Sequence, residues 1–332
     1  MMRTRLTDMF GVRHPIVQGG MQWVGTAELV SAVANAGALG FITALTQPSP
    51  EALATEIARC REMTDQTFGV NLTILPSISP PPYSEYRHAI ADLGVKIVET
   101  AGANPEPHMP FFHKHSIRIL HKCTSVRHAV KAQRVGVDAV SIDGFECAGH
   151  PGEDDVPGLV LIPAVTRVLD IPVVASGGFA DGRGLVAALA LGAEGISMGT
   201  RFMCTTEAPI HDNIKRAILD ASELDTELIF RPLRNTSRVS ANTVSRKTAE
   251  ILDQGGTFED VRELVAGARG RTVFERGDPE AGVWTVGQVQ GLINDVPTVD
   301  ALVTRIMHEA ERIVSIHLPA MFGEREPVGA TS

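Results

Sequence analysis

The stretch Ala175–Phe202, ASGGFADGRGLVAALALGAEGISMGTRF, decides the fold class. A β-branched run (Ile171, Val173, Val174) leads into Gly177-Gly178, and a small-residue helical pattern follows from Gly184 to Leu191. A second short strand, Gly195–Met198, ends in Gly199-Thr200. The order strand, glycine turn, helix, strand, glycine turn is that of successive βα units. Such turns present backbone N–H groups without side-chain obstruction, beside helix N-termini whose partial positive charge favours an anion. In a (β/α)8 barrel the loops after the last two strands are the usual place for a bound phosphate. Glycine also serves plain structural turns, so this segment alone leaves both readings open.

The same alternation runs back to the start of the chain. Strand patterns at Pro15–Gln18, Ala38–Ala44, Thr67–Thr73, Lys96–Thr100, Ile117–Lys122 and Ala139–Asp143 are each followed by a helical pattern. Ser49-Pro50 reads as N-cap and first residue of one such helix, Pro50–Arg61. A proline-rich loop, Pro76–Pro82, precedes the helix Ser84–Leu93. Eight strands at this spacing predict an α/β fold, a (β/α)8 TIM barrel, over an open doubly wound sheet. After the eighth strand the rhythm breaks into a polar, helical, strand-poor stretch. The expected division is therefore a barrel formed by residues 1–209 and 292–322, with a smaller helical domain, 210–291, inserted before the last barrel helix. That last helix, Val299–Leu318, places Leu302, Ile306, Ala310 and Ile313 near one face. The tail Gly323–Ser332 is expected to fray.

Composition narrows the function classes. With 44% hydrophobic and 21% charged residues the chain reads as a globular protein with ample core. A net charge of −9 leaves no basic excess to neutralise nucleic acid or an anionic membrane. No run of about 18 apolar residues or signal-peptide pattern appears, so a cytoplasmic protein is expected. The four cysteines, Cys60, Cys123, Cys147 and Cys204, form no CxxC pair. They read as buried thiols rather than zinc ligands or disulfides.

Ligand chemistry in a barrel gathers at the C-terminal ends of the strands. There stand Gln18-Gly19-Gly20-Met21-Gln22-Trp23, with glycines that let a flat ligand approach and Met21 and Trp23 as soft and aromatic surface. Asn71 and Thr73 end the third strand, Lys122 and Thr124 the fifth, and Asp143 the sixth. The loop after the sixth, Gly144–Pro157, is long for a βα connection and carries His150 between Gly149 and Pro151. A histidine there can orient substrate or accept a proton near neutral pH. Glu153-Asp154-Asp155 lack defined metal-ligand spacing, so no metal is expected.

The motifs QGGMQWVG (Gln18–Gly25), GVNLT (Gly69–Thr73), HKCT (His121–Thr124) and SIDGFECAGHPGEDD (Ser141–Asp155) together resemble the nitronate monooxygenase superfamily, formerly 2-nitropropane dioxygenases. ASGGFADGRG, MGTRF and GVWTVGQVQGLI (Gly282–Ile293) extend the resemblance. The strand-six motif looks most like the bacterial branch of FMN-dependent NADH:quinone reductases. The resemblance implies a flavoprotein in which Gly20, Met21 and Gln22 line the FMN ring and Asn71, Thr73 and Lys122 reach its polar edge. Asp143, Ala148 and Gly149 would approach from the sixth strand, and Gly177, Gly178, Gly199 and Thr200 would hold the phosphate. His150 matches the family's active-site histidine.

The function expected from this is an NAD(P)H:quinone reductase, with FMN as cofactor, NADH as co-substrate, and His150 and Lys122 as its catalytic residues. The alternative is a nitronate monooxygenase that oxidises alkyl nitronates with oxygen. A barrel dehydrogenase using Cys147 as nucleophile, and a non-catalytic flavin-binding module, are the rivals from other classes. Small-molecule substrates are the expected partners, with a homodimer left open. No GxGxxG unit with a distal acidic residue offers a separate Rossmann site, so NADH would have to visit the FMN cleft.

Overall fold

The computed structural model describes residues 2–74 and 80–322. Most of the proline-rich loop and the tail 323–332 lie outside the described residues. Eight parallel strands close in sequence order into a barrel: β1 (Ile16–Gln18), β2 (Leu39–Thr43), β3 (Gly69–Ile74), β4 (Ile97–Gly102), β5 (Arg118–Cys123), β6 (Ala139–Asp143), β7 (Val173–Ser176) and β8 (Gly195–Met198). The fold is the expected (β/α)8 barrel, and each strand lies within a few residues of its sequence pattern. Among the described residues no helix is long and apolar enough to cross a membrane.

Side chains alternate along each strand, so the barrel interior is written at every second residue. Its lower half is apolar: Val17, Phe41, Ile97, Leu120, Ala139 and Val174 cluster with Leu6 and Phe10 of the short helix Arg5–Phe10, which plugs the N-terminal end. Two residues further along the strands the lining turns polar. Ile97 gives way to Glu99, Leu120 to Lys122, Ala139 to Ser141, and Val174 to Ser176. Parallel register brings these together, with Asn71 opposite Glu99, Lys122 opposite Ser141, and Asp143 opposite Ser176. A hydrophobic floor thus carries a polar layer at the end where ligands bind.

The stretch 210–291 is not all helical. Beside the helices Asp212–Asp220, Thr243–Asp253 and Gly267–Arg276 it contains an antiparallel hairpin, β9 (Thr226–Ile229) and β10 (Ser237–Ser240). The strand-poor reading missed it because each strand is only four residues long and mixes polar with apolar side chains. Phe230 and Arg234, in the turn between them, take left-handed backbone, φ 65° and 53°. Ile214, Ile218, Phe274, Trp284 and Val286 join the same core as the barrel's outer layer.

The last helix starts at Val299 behind the N-cap Thr298 and buries Leu302, Ile306 and Ala310 as expected. Ile313 does not join them. A wider π-turn spans Ile313–His317 before the chain continues as Leu318–Phe322, and it rotates the following side chains away from the core face.

This helix crosses Gly182–Ala190 at very close range. A Cβ on Gly182 would stand 2.6 Å from both Ala310 N and Ile306 O, backbone atoms that cannot yield. Gly182→Ala is therefore expected to cost about 1–3 kcal/mol, read as a lower denaturant midpoint. Gly267→Ala, a helical position with nothing within 4 Å of the added carbon, should be neutral or slightly stabilising.

Candidate functional site

The polar layer is built around Lys122. Its Nζ lies 3.4 Å from Asp143 Oδ1 and the side chain is largely buried. Burial by itself would lower the lysine pKa, but the Asp143 and then the Glu99 carboxyl groups outweigh it and hold it above its ordinary value. Glu99, on β4, is fully buried. Its Oε2 accepts hydrogen bonds from Gly20 N (2.8 Å) and Asn71 Nδ2 (2.7 Å), while Thr73 Oγ1 donates to Asn71 Oδ1 (3.1 Å). Burial pushes the Glu99 carboxyl up, against the pull of Lys122. Glu99 Oε1, Ser141 Oγ and Asp143 Oδ1 are buried without a hydrogen-bond partner, although Asp143 Oδ1 keeps its ion pair with Lys122.

Two adjoining cavities open from this layer, and Gly20, Lys122, Asp143 and Ala148 line both. The inner one, about 200 Å³, is walled by Met21, Gln22, Gly149 and the turns Gly177-Gly178 and Gly199-Thr200. Gly177 and Gly178 have φ of 85° and 86°, backbone that favours glycine, and a Cβ on Gly177 would press on Cys147. The outer cavity, about 710 Å³, contains Asn71, Thr73 and His150. Every residue expected to hold the cofactor, and His150, lines one cavity or the other.

Helix N-termini play a smaller part than the sequence suggested. In Gly182–Ala190 the first N–H groups are already taken, Gly184 N by the N-cap Asp181 and Gly182 N by Glu309. The helix after β8, Thr200–Met203, is a single turn. What remains for a phosphate is the loop backbone, since among the described residues no acceptor takes the N–H of Gly178 or Phe179. A flat cofactor bearing one phosphate fits this arrangement, with glycine backbone around the anion and polar edge groups at Lys122 and Asn71.

The loop that carries His150 is held from outside the barrel. Gly149 and Arg238 of β10 exchange backbone hydrogen bonds of 3.0 and 2.6 Å. The Arg238 guanidinium donates to Phe145 O (3.0 Å) and Thr226 Oγ1 (2.8 Å) and lies over the Phe145 ring. Glu153 accepts from Thr236 N and Oγ1, both at 2.7 Å, and Asp155 pairs with Arg231 at 3.0 Å. His150 itself is exposed to the outer cavity, yet the crowding walls desolvate its ring and lower its pKa despite Glu153. Near neutral pH the uncharged imidazole is therefore the favoured form.

Other expectations fare differently. Trp23 lines neither cavity; it sits in left-handed backbone (φ 69°) with the Arg271 guanidinium 5.2 Å from its ring. Cys147 lines the inner cavity, but burial, aided by Asp143, pushes its thiol well up, so it is no thiolate at neutral pH. His121 lies against Thr100 Oγ1 (2.8 Å) and borders the outer cavity, and burial takes its pKa down to about 4. Sequence reasoning missed Glu99 and the hairpin residues Thr236 and Arg238. Glu99 had a signal, the same apolar-x-charged step as Leu120-x-Lys122; the hairpin contacts had none.

A family model for nitronate monooxygenase matches residues 3–104 and 82–309. The chain belongs to the nitronate monooxygenase family. Among curated relatives, a (3aS,4S,5R,7aS)-5-hydroxy-7a-methyl-1-oxo-octahydro-1H-indene-4-carboxyl-CoA dehydrogenase of Rhodococcus jostii is 32% identical over 93% of this chain and 96% of that protein. A probable nitronate monooxygenase of Staphylococcus aureus is 31% identical, covering 94% and 98%. FabK from Thermotoga maritima superposes with a TM-score of 0.89 at 34% identity, over 97% of this chain and 100% of that one. The chain is thus an enzyme of an oxidoreductase family, and this family member carries its polar layer where the fold puts catalysis.

Glu99 gives that layer a measurable pH signature. Its folded pKa stands above the ordinary value of 4.5, so the folded protein holds the proton more tightly than the unfolded chain. The Glu99 contribution to stability is therefore fully present below about pH 4.5 and is lost as the pH rises through the folded pKa. Glu99→Gln keeps an acceptor oxygen and removes this loss, so its stability relative to wild type should rise with pH in denaturant titrations. Glu99→Ala, which strands Gly20 N–H and the Asn71 amide, should cost about 1–3 kcal/mol for each unsatisfied group.

Proposed function

We propose that the chain is an FMN-dependent NAD(P)H:quinone reductase that takes hydride from NADH and passes two electrons to a quinone. The observation that carries this reading is the meeting of two cavities at a buried cation: an inner one bounded by glycine turns and a wider outer one. Bound FMN would supply the hydride-accepting and two-electron chemistry. Gly177, Gly178, Gly199 and Thr200 would hold its phosphate, and Gly20, Met21, Gln22, Ala148 and Gly149 would lie along the ring. Asn71, Thr73 and Lys122, backed by Asp143, would meet its polar edge. Lys122, shielded from water, stabilises negative charge at that edge far better than a solvated lysine could. His150 orients nicotinamide or quinone in the outer cavity, which the two substrates occupy in turn, and no proton transfer is required of it.

One observation favours the nitronate monooxygenase reading instead. A neutral imidazole facing the outer cavity is a competent proton acceptor, which a nitroalkane substrate would need and a hydride donor would not.

Cofactor release tests the flavin site, and anaerobic reduction by each donor separates the two readings. The purified protein should be yellow and release FMN, not FAD, on denaturation. In anaerobic stopped flow, NADH should bleach the flavin rapidly, and propionate 3-nitronate or nitroalkanes barely. His150→Ala should slow reduction by NADH only modestly, whereas loss of a required base costs on the order of 10²–10⁴-fold. Lys122→Met should lower the flavin potential and slow reduction in a folded, FMN-loaded protein. Fast bleaching by a nitronate with none by NADH would replace the proposal with the alternative.

A further inference from the structure

We infer that the mouth of the outer cavity is a binding site for the pyrophosphate of an adenosine-tethered substrate, formed by Lys131 and Arg234 with Arg127 beside them. The inference rests on the outer cavity being the substrate cavity. Its lining holds four cations, Lys122, Arg127, Lys131 and Arg234, against three carboxylates, Asp143, Glu153 and Asp154. The surplus is positive in a chain whose net charge is −9.

The carboxylates are moreover engaged. Asp143 pairs with Lys122, Asp154 lies 3.8 Å from Arg127, and Glu153 is turned onto Thr236 by two hydrogen bonds. Among the described residues neither Lys131 nor Arg234 has a carboxylate within ion-pair distance, although both border the cavity. Arg127 and Lys131 stand four residues apart on the helix Val126–Arg134, and so share one face of it. Arg234 comes from the β9–β10 turn, where its left-handed backbone is one that a non-glycine residue adopts only at a cost. Cations from two separate elements thus border one cavity of about 710 Å³, a size that takes a nucleotide-like ligand.

A quinone or a nitronate has no use for such a rim. A nicotinamide dinucleotide and a coenzyme A thioester do, because both carry a pyrophosphate between adenosine and the reacting end. Bound there, the pyrophosphate would lie at the mouth and leave the reacting end to His150 and Asn71 further in. The Rhodococcus jostii relative is named for a carboxyl-CoA substrate, so both sources need testing.

The test is titration calorimetry of the FMN-loaded protein with ADP-ribose and with coenzyme A, in wild type and in the Lys131→Glu/Arg234→Glu double variant. The expected result is that one ligand or both bind the wild type, and more weakly as salt is raised, and bind the variant at least about tenfold more weakly. ADP-ribose bound in preference assigns the rim to the dinucleotide, and coenzyme A in preference to a thioester. In steady state the KM for NADH should rise in the variant toward that for reduced nicotinamide mononucleotide, which lacks the adenylate, with kcat largely retained. Both substituted residues are exposed, and FMN content and circular dichroism check the variant's fold; Arg234→Lys, which keeps the charge, should restore most of the affinity. Affinity for both ligands unchanged by charge reversal would overturn the inference, as would failure of both to bind wild type. Because binding needs no hydride transfer, rim-dependent coenzyme A binding without reduction by NADH would sink the quinone reductase proposal and leave the rim standing. Fast reduction by NADH with an unaffected variant would do the reverse.

Discussion

An ammonium group withdrawn from water must be compensated inside the protein, and at the mouth of this barrel that group is Lys122. Asp143 supplies the ion pair, and Glu99, whose charged form burial disfavours, supplies the acceptor for Gly20 N–H and the Asn71 amide. Two full negative charges beside one lysine would make the layer net negative and repel the charge that an electron-accepting cofactor gathers. Burial, by disfavouring the charged form of Glu99, works against that excess. The same carboxyl holds Gly20 N–H and the Asn71 amide, so the first turn and the third strand hang from it as well. The arrangement depends on strand register, since a slip of one residue would turn the polar layer outward and bury the opposite face.

A second dependence runs through the hairpin. The loop from Gly144 to Pro157 is long, and ordering it costs conformational entropy. The hairpin supplies contacts to it: backbone pairing at Gly149, a guanidinium on Phe145 O, and a hydroxyl and an N–H on Glu153. These contacts flank His150 on both sides. The stretch between the eighth strand and the last helix therefore acts as a brace for the loop that faces substrate, and its apolar side chains share the barrel's outer core.

What could be read from the sequence follows from range. The strands, the glycine turns and the residues at strand ends are local or periodic features, so the barrel and most of the cavity lining are legible in the sequence. Glu99 was legible in principle, because a charged residue two places after an interior Ile97 has nowhere to point but the barrel mouth. The grip of Thr236 and Arg238 on the loop was not, since pairings across some ninety residues leave no periodic trace. Trp23 misled for a related reason: aromatic character suggested a ligand surface, but its backbone turn sends the ring to Arg271. The helix termini misled because capping by Asp181 and Glu309 uses the same N–H groups a phosphate would want.

The two cavities are made of different material, and this bears on how one fold serves several substrates. The inner one includes seven glycines in its lining, among them Gly177 and Gly178, whose geometry depends on positive φ and close packing rather than on side-chain identity. The outer one is bordered by side chains from the helix after β5, the strand-six loop and the β9–β10 turn, all of which can change without disturbing the barrel. Relatives near 31–32% identity carry names as different as a nitronate monooxygenase and a carboxyl-CoA dehydrogenase. Chemistry held by backbone and specificity held by loop side chains would produce that pattern, because loops tolerate substitution that a strand register does not. On the proposed reading, the discriminating residues of this chain are those of the outer wall, His150 within it and the cations at its mouth, rather than the glycines that first marked the fold.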